Sequence, residues 1–256
     1  MCLYQDLAVI ILAAGKGTRM KSDRAKALHK VGGKSMVVHV VSCACDIAGE
    51  NVHVVVGHQA DKVKAEVVKY FNVDFVFQEA LLGTGDAVKT ALPALGTGVR
   101  DVLVLCGDVP LIQKQTLDTF IKGHKNSNTG ISVLATHVDD PTGYGRIVRD
   151  EDMNLVCIRE QTEASEDEKK ITLVNTGIYC FDVKLIKEVI PLIQPDNHQD
   201  EYYLTDAIRI ARKRSEKIEA ITMGDPRQFM GVNTPKQLAK AQRFLHTMAT
   251  GIALTL

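Results

Sequence analysis

Apolar and polar positions follow two distinct rhythms along the first half of the chain. Short unbroken apolar runs rich in Val, Ile and Leu predict strands that are buried on both faces. Between them, apolar residues recur every three or four positions, which predicts amphipathic helices. This alternation indicates crossover connections and a mostly parallel sheet with helices on both faces. The predicted strands are 7–13, 53–57, 73–77 and 101–106, and the predicted helices are 36–48, 60–70, 84–95 and 114–124.

The second half has a different pattern, because its predicted strands follow one another with little helix between them. This favours antiparallel or mixed strands added to the parallel core. A charge-rich connector spans 160–170. The pattern predicts a Rossmann-like α/β domain over 1–232, followed by a C-terminal helix and tail over 233–256. The further predicted strands are 130–138, 144–150, 154–160, 173–181 and 217–222, and the further helices are 183–193, 203–214 and 235–249.

Composition narrows the class of protein. Of 256 residues, 45% are hydrophobic and 24% are charged, and 31 basic residues balance 31 acidic ones. A chain without net charge does not predict a broad binding surface for nucleic acid or anionic lipid. No apolar run approaches the roughly 18 residues needed to cross a bilayer, and the N-terminal apolar run lacks a basic leader. We therefore expect a cytoplasmic protein with no nucleic-acid and no membrane partner.

Cysteine and histidine residues, the candidates for zinc, disulfide and acid–base chemistry, are scattered along the chain. The six cysteines form no CxxC pair, which argues against a zinc site or a disulfide framework and favours reduced thiols. His29 and His58 each stand alone in the sequence, and we assign neither of them a catalytic role.

A glycine-rich loop, AAGKGTR at 13–19, follows the first predicted strand, and a further cation stands at Lys26. Small residues let backbone N–H groups approach an anion, and Arg19 and Lys26 can neutralise phosphate oxygens. A dinucleotide fingerprint would need a third glycine at Met20, and a Walker A loop would need a glycine at Leu28. The alternative is a turn that only joins a strand to a helix, but two spaced cations favour phosphate binding.

The stretch LAAGKGTRM at 12–20, with Lys26, resembles the signature of the sugar-nucleotide pyrophosphorylases. Further segments narrow the resemblance to the uridylyltransferase domain of the bacterial bifunctional enzymes of UDP-N-acetylglucosamine synthesis. The resemblance extends from about residue 7 to residue 245, nearly the whole chain. The segments are VGH (56–58), LLGTGDAV (81–88), CGDVPLI (106–112), DDPTGYGRI (139–147), VNTGIYCF (174–181), EYYLTD (201–206) and GVNTPKQL (231–238).

The resemblance implies a Mg²⁺-dependent sugar-1-phosphate nucleotidyltransferase of cell wall precursor synthesis. Its substrates would be UTP and N-acetylglucosamine 1-phosphate, and its products UDP-N-acetylglucosamine and pyrophosphate. Glucose 1-phosphate or another sugar 1-phosphate is an alternative acceptor, and a low-activity regulatory homologue that binds nucleotide sugars is an alternative function. We leave open whether the protein forms a homo-oligomer. The bifunctional enzymes continue into a β-helix acetyltransferase domain, which we do not expect in this chain.

The same resemblance implies roles for particular residues. Arg19 and Lys26 are expected to act in catalysis, and Asp108 and Asn233 to bind Mg²⁺. Asp108 also directly follows a predicted strand, where ligands of parallel sheets bind. Residues expected to contact the nucleotide are Leu12, Ala13, Ala14, Gly15, Lys26, Gln78, Gly83, Thr84 and Asp108. Residues expected to contact the sugar phosphate are Gly145, Glu160, Asn175, Tyr203, Thr205 and Asn233.

Several of these assignments have a purely structural alternative. Asp108 could be a turn residue ahead of Pro110, and Asn233 could belong to a helix N-cap region ahead of Pro235. Tyr203 could be a half-buried core aromatic.

The chain also departs from the family pattern on the acceptor side. Thr162 stands where the family has a lysine, so a cation near the acceptor phosphate is absent. Arg159 and Arg146 are then the first alternative cations. Ala25 and Ser35 replace two prolines, and Leu81 replaces a glutamine.

Overall fold

A computed structural model describes residues 3–250, with side chains described to residue 248. Strands and helices alternate in the first half, as the apolar pattern predicts, but the strand predicted at 73–77 is not buried on both faces, because it lies at the edge of the sheet. The strands are β1 Leu7–Leu12, β2 Lys30–Val31, β3 Lys34–Ser35, β4 Val52–Val56, β5 Asp74–Phe77, β6 Asp101–Cys106, β7 Ile131–His137, β8 Arg146–Arg149, β9 Leu155–Arg159, β10 Leu173–Asp182 and β11 Ile218–Thr222. The helices are α1 Met36–Ala48, α2 Ala60–Val67, α3 Thr84–Ala91, α4 Lys114–Ser127, α5 Val183–Val189, α6 Asp206–Lys213 and α7 Pro235–Thr250.

The main sheet has the strand order β11-β7-β10-β6-β1-β4-β5. Strands β6, β1, β4 and β5 are parallel to one another, which confirms the predicted crossover connections. Strand β10 lies between β6 and β7 and is antiparallel to both, whereas β11 is parallel to β7. The hairpin β8–β9 joins the sheet through β10. The second half is therefore mixed, and the predicted α/β class with added antiparallel strands is confirmed.

The core lies on both faces of this sheet, because successive side chains of a strand point to opposite faces. In β1, Val9 and Ile11 belong to one apolar cluster, and Ala8 and Ile10 belong to the other. Helices α1, α2 and α4 pack on the first face, and α3, α5 and α6 on the second. Burial of a Val, Leu or Ile side chain contributes about 1.5–3 kcal/mol, which accounts for the absence of polar residues in β1.

Helix α7 packs away from these two faces, on a small hairpin that the apolar pattern did not predict. The hairpin strands β2 and β3 precede α1. A third apolar cluster joins this region to α7 and contains Val31, Met36, Leu111, Met230, Val232 and Ala241. The division after residue 232 stays a prediction, and residues 251–256 of the predicted tail lie outside the described residues.

Helix boundaries differ from the predictions where a local constraint acts. The helix predicted for 84–95 ends at Ala91 and continues as a 3-10 turn over Leu92–Ala94, because Pro93 has no N–H to extend it. The helix predicted for 203–214 begins at Asp206. Between residues 3 and 250, no helix is both long and apolar enough to cross a membrane.

Candidate active site

A cleft of about 530 Å³ opens at the carboxyl ends of β1 and β6, where parallel sheets bind ligands. All nine residues that were expected to contact the nucleotide line this cleft. The same wall contains Lys16, Thr18, Cys106 and Glu201, which sequence reasoning did not assign to the site. The nine expected residues come from four separate segments of the chain, which the fold brings together. They are Leu12, Ala13, Ala14, Gly15, Lys26, Gln78, Gly83, Thr84 and Asp108.

The glycine-rich loop is shaped by Lys26. Gly17 has a φ of 68°, in the left-handed region, and a Cβ there would stand 2.4 Å from the Cβ of Lys26. A side chain at this position would therefore displace Lys26. No atom lies within 4 Å of the Cβ position of Gly15, so the backbone at Gly15 is open to a ligand.

Lys26 joins two distant segments at the floor of the cleft. Its Nζ donates to Oδ2 of Asp108 at 2.6 Å and to Oδ1 of Asn233 at 3.0 Å. Arg19 Nη2 donates to the same Asn233 oxygen at 3.0 Å. The backbones of the Asp108 and Asn233 segments are also joined, because the N–H of Val232 donates to the carbonyl of Asp108 at 2.9 Å. We call Arg19, Lys26, Asp108 and Asn233 the charged junction; both predicted metal ligands and both predicted catalytic cations belong to it.

Asn233 is positioned by the first turn of α7. The Gln237 side-chain oxygen accepts from the Asn233 backbone N–H at 2.9 Å, and the Gln237 N–H donates to the Thr234 hydroxyl at 3.2 Å. This pattern resembles a capping box, except that the Gln237 side chain accepts from Asn233, the residue before the N-cap Thr234; Pro235 stands at the first helical position. The N-cap alternative for Asn233 therefore describes its surroundings correctly, but its side chain points to Lys26.

The charged junction provides oxygen donors of the kind that a hard cation prefers. Asp108 contributes a carboxylate oxygen and Asn233 an amide oxygen, both within 3.0 Å of one ammonium nitrogen. Among the described residues, no three His, Cys, Asp or Glu side chains come together as a metal cage. A Mg²⁺ ion at this point would therefore need its remaining ligands from phosphate and water.

The end of the cleft where the base was expected is formed by Gln78 and the loop before α3. Gln78 is 3% exposed, and its Nε2 donates to the Gly83 carbonyl at 3.2 Å and to Asp86 Oδ2 at 2.7 Å. Gly83 has a φ of 111°, and a Cβ there would stand 2.7 Å from the Tyr202 carbonyl. That carbonyl accepts from Gly85 N–H at 2.7 Å. Sequence reasoning missed Asp86, although an acidic residue in the first turn of a helix beside the cleft was a visible signal.

The segment before α6 covers this loop. Tyr202 N–H donates to the Leu82 carbonyl at 2.7 Å, and Leu204 N–H donates to the Thr84 hydroxyl at 3.0 Å. The carbonyls of residues 203–205 accept from N–H groups three positions on, so the chain begins with tighter turns and the α-helix starts at Asp206.

Predicted acceptor residues meet at a second cavity of about 490 Å³ between β9 and α6, which Glu160, Tyr203 and Thr205 line. A Cβ on Gly145 would stand 2.8 Å from Ile158 Cγ2 and 3.4 Å from Glu160 Oε1, so only glycine fits there. The structure therefore groups Gly145 with Glu160 and its neighbours, while Asn233 belongs to the charged junction.

Asn175 connects to Gly145 through the backbone, because its N–H donates to the Gly145 carbonyl at 2.8 Å. Its side chain is already engaged on both sides. Nδ2 donates to the Tyr179 hydroxyl at 2.7 Å, and Oδ1 accepts from Gly177 N–H at 2.9 Å. The latter bond lies where the register between β10 and β7 shifts.

Burial shapes the electrostatics of this side. Burial raises the pKa of Glu160 above its usual range, and the hydrogen bond from Thr205 only partly opposes this shift. Burial also raises the pKa of Tyr203 to about 12, so its phenol is protonated at neutral pH. The pKa of the cleft-lining thiol Cys106 is raised by burial to about 12, which makes it a poor nucleophile.

Of the two arginines near Thr162, Arg146 is not free to replace the missing lysine, whereas Arg159 lines the second cavity together with Glu160. Arg146 is 1% exposed and donates to the Tyr144 carbonyl and, at 2.7 Å, to Gln161 Oε1. Arg159 Nε donates to Glu168 at 3.1 Å. Arg146 therefore holds the 143–146 loop against the connector through Gln161. The Arg159–Glu168 pair in turn joins the connector to β9.

The sheet, the glycine-rich loop and the cleft at the carboxyl edge define a fold of the nucleotide-diphospho-sugar transferase type. Residues 9–168 match the model of the MobA-like NTP transferase domain. The chain belongs to this family.

Curated relatives carry the name "Bifunctional protein GlmU". The protein from Geotalea uraniireducens is 44% identical over 240 residues, which cover 94% of this chain and 52% of the relative. The protein from Desulfotalea psychrophila is 38% identical, and the match covers 98% of this chain and 75% of the relative. The chain spans about half the length of most of the relatives it matches.

Solved structures agree on the fold. The crystal structure of HddC from Yersinia pseudotuberculosis, complexed with GMP-PN, matches with a TM-score of 0.69 at 22% identity. The match covers 93% of this chain and 99% of that chain.

Proposed function

We propose that the chain transfers a uridylyl group from UTP to N-acetylglucosamine 1-phosphate, with release of pyrophosphate. The observation that carries the proposal is the charged junction beside the glycine-rich loop: Lys26 and Asp108 line the cleft, and Asn233 and Arg19 are joined to them by hydrogen bonds. The similarity to the GlmU proteins over more than nine-tenths of the chain supports the uridylyl and amino-sugar assignments.

The chemistry requires positioning and charge neutralisation. A phosphate oxygen of the sugar 1-phosphate attacks the α-phosphorus of UTP, the new P–O bond forms, and the bond to the β-phosphate oxygen breaks. The attacking phosphate is already ionised at neutral pH, so no side chain needs to remove a proton. Arg19 and Lys26 neutralise charge on the triphosphate, and the loop N–H groups orient it.

Mg²⁺ fits the oxygen donors of the junction, and we propose Asp108 and Asn233 as its protein ligands. When bound, the ion would neutralise further charge on the triphosphate. Lys26 Nζ now occupies the point on which both oxygens converge. If Mg²⁺ were held by both oxygens, the ammonium group would have to leave them, and it could then pair with phosphate oxygens.

Glu160, Thr205 and Gly145 are proposed to receive the amino sugar, beside the second cavity. Glucose 1-phosphate is the alternative acceptor, since Thr162 alters the side that would hold the acceptor phosphate. A regulatory homologue with little turnover is the other alternative, which the complete charged junction disfavours. The cytoplasmic location, the absence of nucleic-acid and membrane partners, and a homo-oligomer stay predictions.

Pyrophosphate release tests the proposal. The purified chain is incubated with Mg²⁺, with UTP, dTTP, CTP, ATP or GTP, and with N-acetylglucosamine 1-phosphate or glucose 1-phosphate. We expect the highest kcat/KM for UTP with the N-acetylated sugar, with dTTP as the closest competitor. Equal use of purine triphosphates would refute the uridylyl assignment, and binding without turnover would favour the regulatory alternative.

Asp108→Ala tests the metal assignment in the same assay. This substitution removes the only anionic protein ligand proposed, so we expect turnover to fall by more than about 100-fold while the protein remains folded. Asp118→Ala is the matched control, because Asp118 also pairs with a lysine, at 2.7 Å, but does not line the cleft. Near wild-type activity of Asp108→Ala at sub-millimolar Mg²⁺ would show that the ligand lies elsewhere.

A further inference from the structure

The amide of Gln78 has only one orientation compatible with its neighbours. Both hydrogen-bond partners of Nε2, the Gly83 carbonyl and the Asp86 carboxylate, are acceptors. Rotating the amide by half a turn would place Oε1 against two oxygens and remove both hydrogen bonds. The partners therefore determine which end of the amide faces which way, with the shorter contact, 2.7 Å, going to Asp86.

This orientation determines what Gln78 presents to a ligand. A side-chain amide has two N–H hydrogens, and both are used by Gly83 and Asp86. Within the described residues Oε1 accepts no hydrogen bond, and Gln78 lines the cleft. The group left for a ligand is an acceptor, which requires a donor on the base.

Among the pyrimidines, this requirement separates uracil and thymine from cytosine. The N3 atom of uracil or thymine carries a hydrogen and donates, whereas N3 of cytosine has no hydrogen and accepts. An acceptor held opposite N3 therefore forms a hydrogen bond with the first two bases and faces another acceptor in cytosine.

We propose that Asp86 is a positioning residue for base selection, which holds the Gln78 amide so that the cleft accepts uracil or thymine and rejects cytosine. Asp86 is suited to this role because it lies in the first turn of α3, where the helix dipole favours an acidic side chain. The Thr90 hydroxyl donates to the Asp86 carbonyl at 2.8 Å, which ties Asp86 to the next turn. The inference rests on the proposed function.

The isosteric variant Asp86→Asn tests this role. An Asn side chain can turn its NH₂ group towards Gln78, so the Gly83 carbonyl is the one remaining partner that requires Nε2. The preference for one amide orientation is therefore weakened, and Nε2 can face the base in part of the molecules. We expect the ratio of kcat/KM for UTP to that for CTP to fall by about tenfold, near the low end of what one base-edge pair contributes. The ratio of UTP to dTTP should not change, because both bases donate from N3.

Asp61→Asn is the matched control, because Asp61 is the acidic residue in the first turn of α2 and does not line the cleft. All three nucleotides should give wild-type values with this control. A folding defect in Asp86→Asn would instead lower the rate with every nucleotide in parallel and leave both ratios unchanged. An unchanged UTP-to-CTP ratio in a variant that turns over UTP overturns the inference.

The wild-type protein separates this inference from the proposed function. If the wild type does not release pyrophosphate from UTP, or uses CTP equally well, the proposed function fails. If the wild type prefers UTP and Asp86→Asn keeps that preference, only the role of Asp86 fails. Calorimetric titration of UTP and CTP into both proteins, with Mg²⁺ present, shows whether the change lies in binding.

Discussion

At the scale of single residues, the acceptor side holds the clearest departure from the family. Thr162 is exposed on the connector, and Arg146 is engaged with backbone and with Gln161. Arg159 pairs with Glu168 through Nε and also lines the second cavity. Of the cations first considered as substitutes, Arg146 is excluded by its burial and its hydrogen bonds. Arg146 would therefore not compete with a new cation at position 162 for the acceptor phosphate.

Thr162→Lys should lower the KM for N-acetylglucosamine 1-phosphate by about fivefold, because a charge-assisted hydrogen bond to phosphate is roughly twice as strong as a neutral one. The KM for UTP should stay the same. Initial rates at varied acceptor and saturating UTP provide the measurement.

Thr97→Lys is the control for that substitution, since it adds the same charge to an exposed position before β6, at the opposite edge of the sheet. An equal effect of both variants would mean that overall charge, and not the site, changes acceptor affinity. If Thr162→Lys has no effect on the acceptor KM, another cation already holds the phosphate, and Arg159, which lines the second cavity, is the first to test.

At the scale of elements, the start of α7 links stability to the site. The capping contacts of Thr234 and Gln237 satisfy backbone N–H groups at the start of the helix, and one of them belongs to Asn233. Thr234→Ala should lower the free energy of unfolding by about 1 kcal/mol, the usual value of a lost N-cap. It should also raise the Mg²⁺ concentration needed for half-maximal activity, because Asn233 is held less firmly.

Urea unfolding and a Mg²⁺ titration measure the two effects. Thr247→Ala is the control from the same helix, because the Thr247 hydroxyl donates to the Arg243 carbonyl and caps no helix end. We expect little change in stability from this variant. A Thr234→Ala protein with wild-type stability would show that the capping contacts contribute nothing measurable.

At the scale of the whole molecule, a polar network stabilises the sheet at the edge opposite the cleft. Asp101, the first residue of β6, pairs with Lys125 at 2.7 Å and lies 3.6 Å from Nε2 of His124. Lys125 also binds Asp6 at 3.0 Å. Burial acts to raise the pKa of Asp101, but the hydrogen bonds from His124 and Lys125 outweigh it, so the pKa lies below its usual value.

A depressed pKa means that the ionised carboxylate is more stable in the folded protein than in the unfolded chain. The stabilisation is present above the unfolded pKa near 3.8 and is lost as the pH falls through the folded value. Asp101→Asn should therefore lower the free energy of unfolding at pH 7 by about 1–3 kcal/mol and flatten its decline at acid pH. Urea unfolding between pH 3 and pH 7 measures both effects.

Asp167→Asn is the control, because Asp167 forms an exposed ion pair with Lys170 and should contribute nothing measurable. Activity at pH 7 should be unchanged in Asp101→Asn, since the network and the cleft lie at opposite edges of the sheet. A pH dependence equal to that of the wild type would show that Asp101 contributes little.

The sequence by itself determined the elements and the fold class. The apolar runs at β1, β4, β5 and β6 and the helical spacing between them are local patterns, which can be read within one short stretch of sequence. The glycine-rich loop was visible for the same reason, since its residue types and spacing lie within one short stretch. Hence the α/β class and the glycine-rich loop at the cleft could be predicted without coordinates.

Only the tertiary structure decided which of these residues meet. Lys26 contacts Asp108 across 82 positions and Asn233 across 207, and no local pattern encodes such a contact. Strand β10 lies between β6 and β7 because sheet order depends on pairing between distant strands. The same holds for the contact of Gln78 with Asp86, which depends on how the loop before α3 folds back on β5. Spacing along a chain fixes the period of an element, whereas the approach of two side chains depends on the path of everything between them.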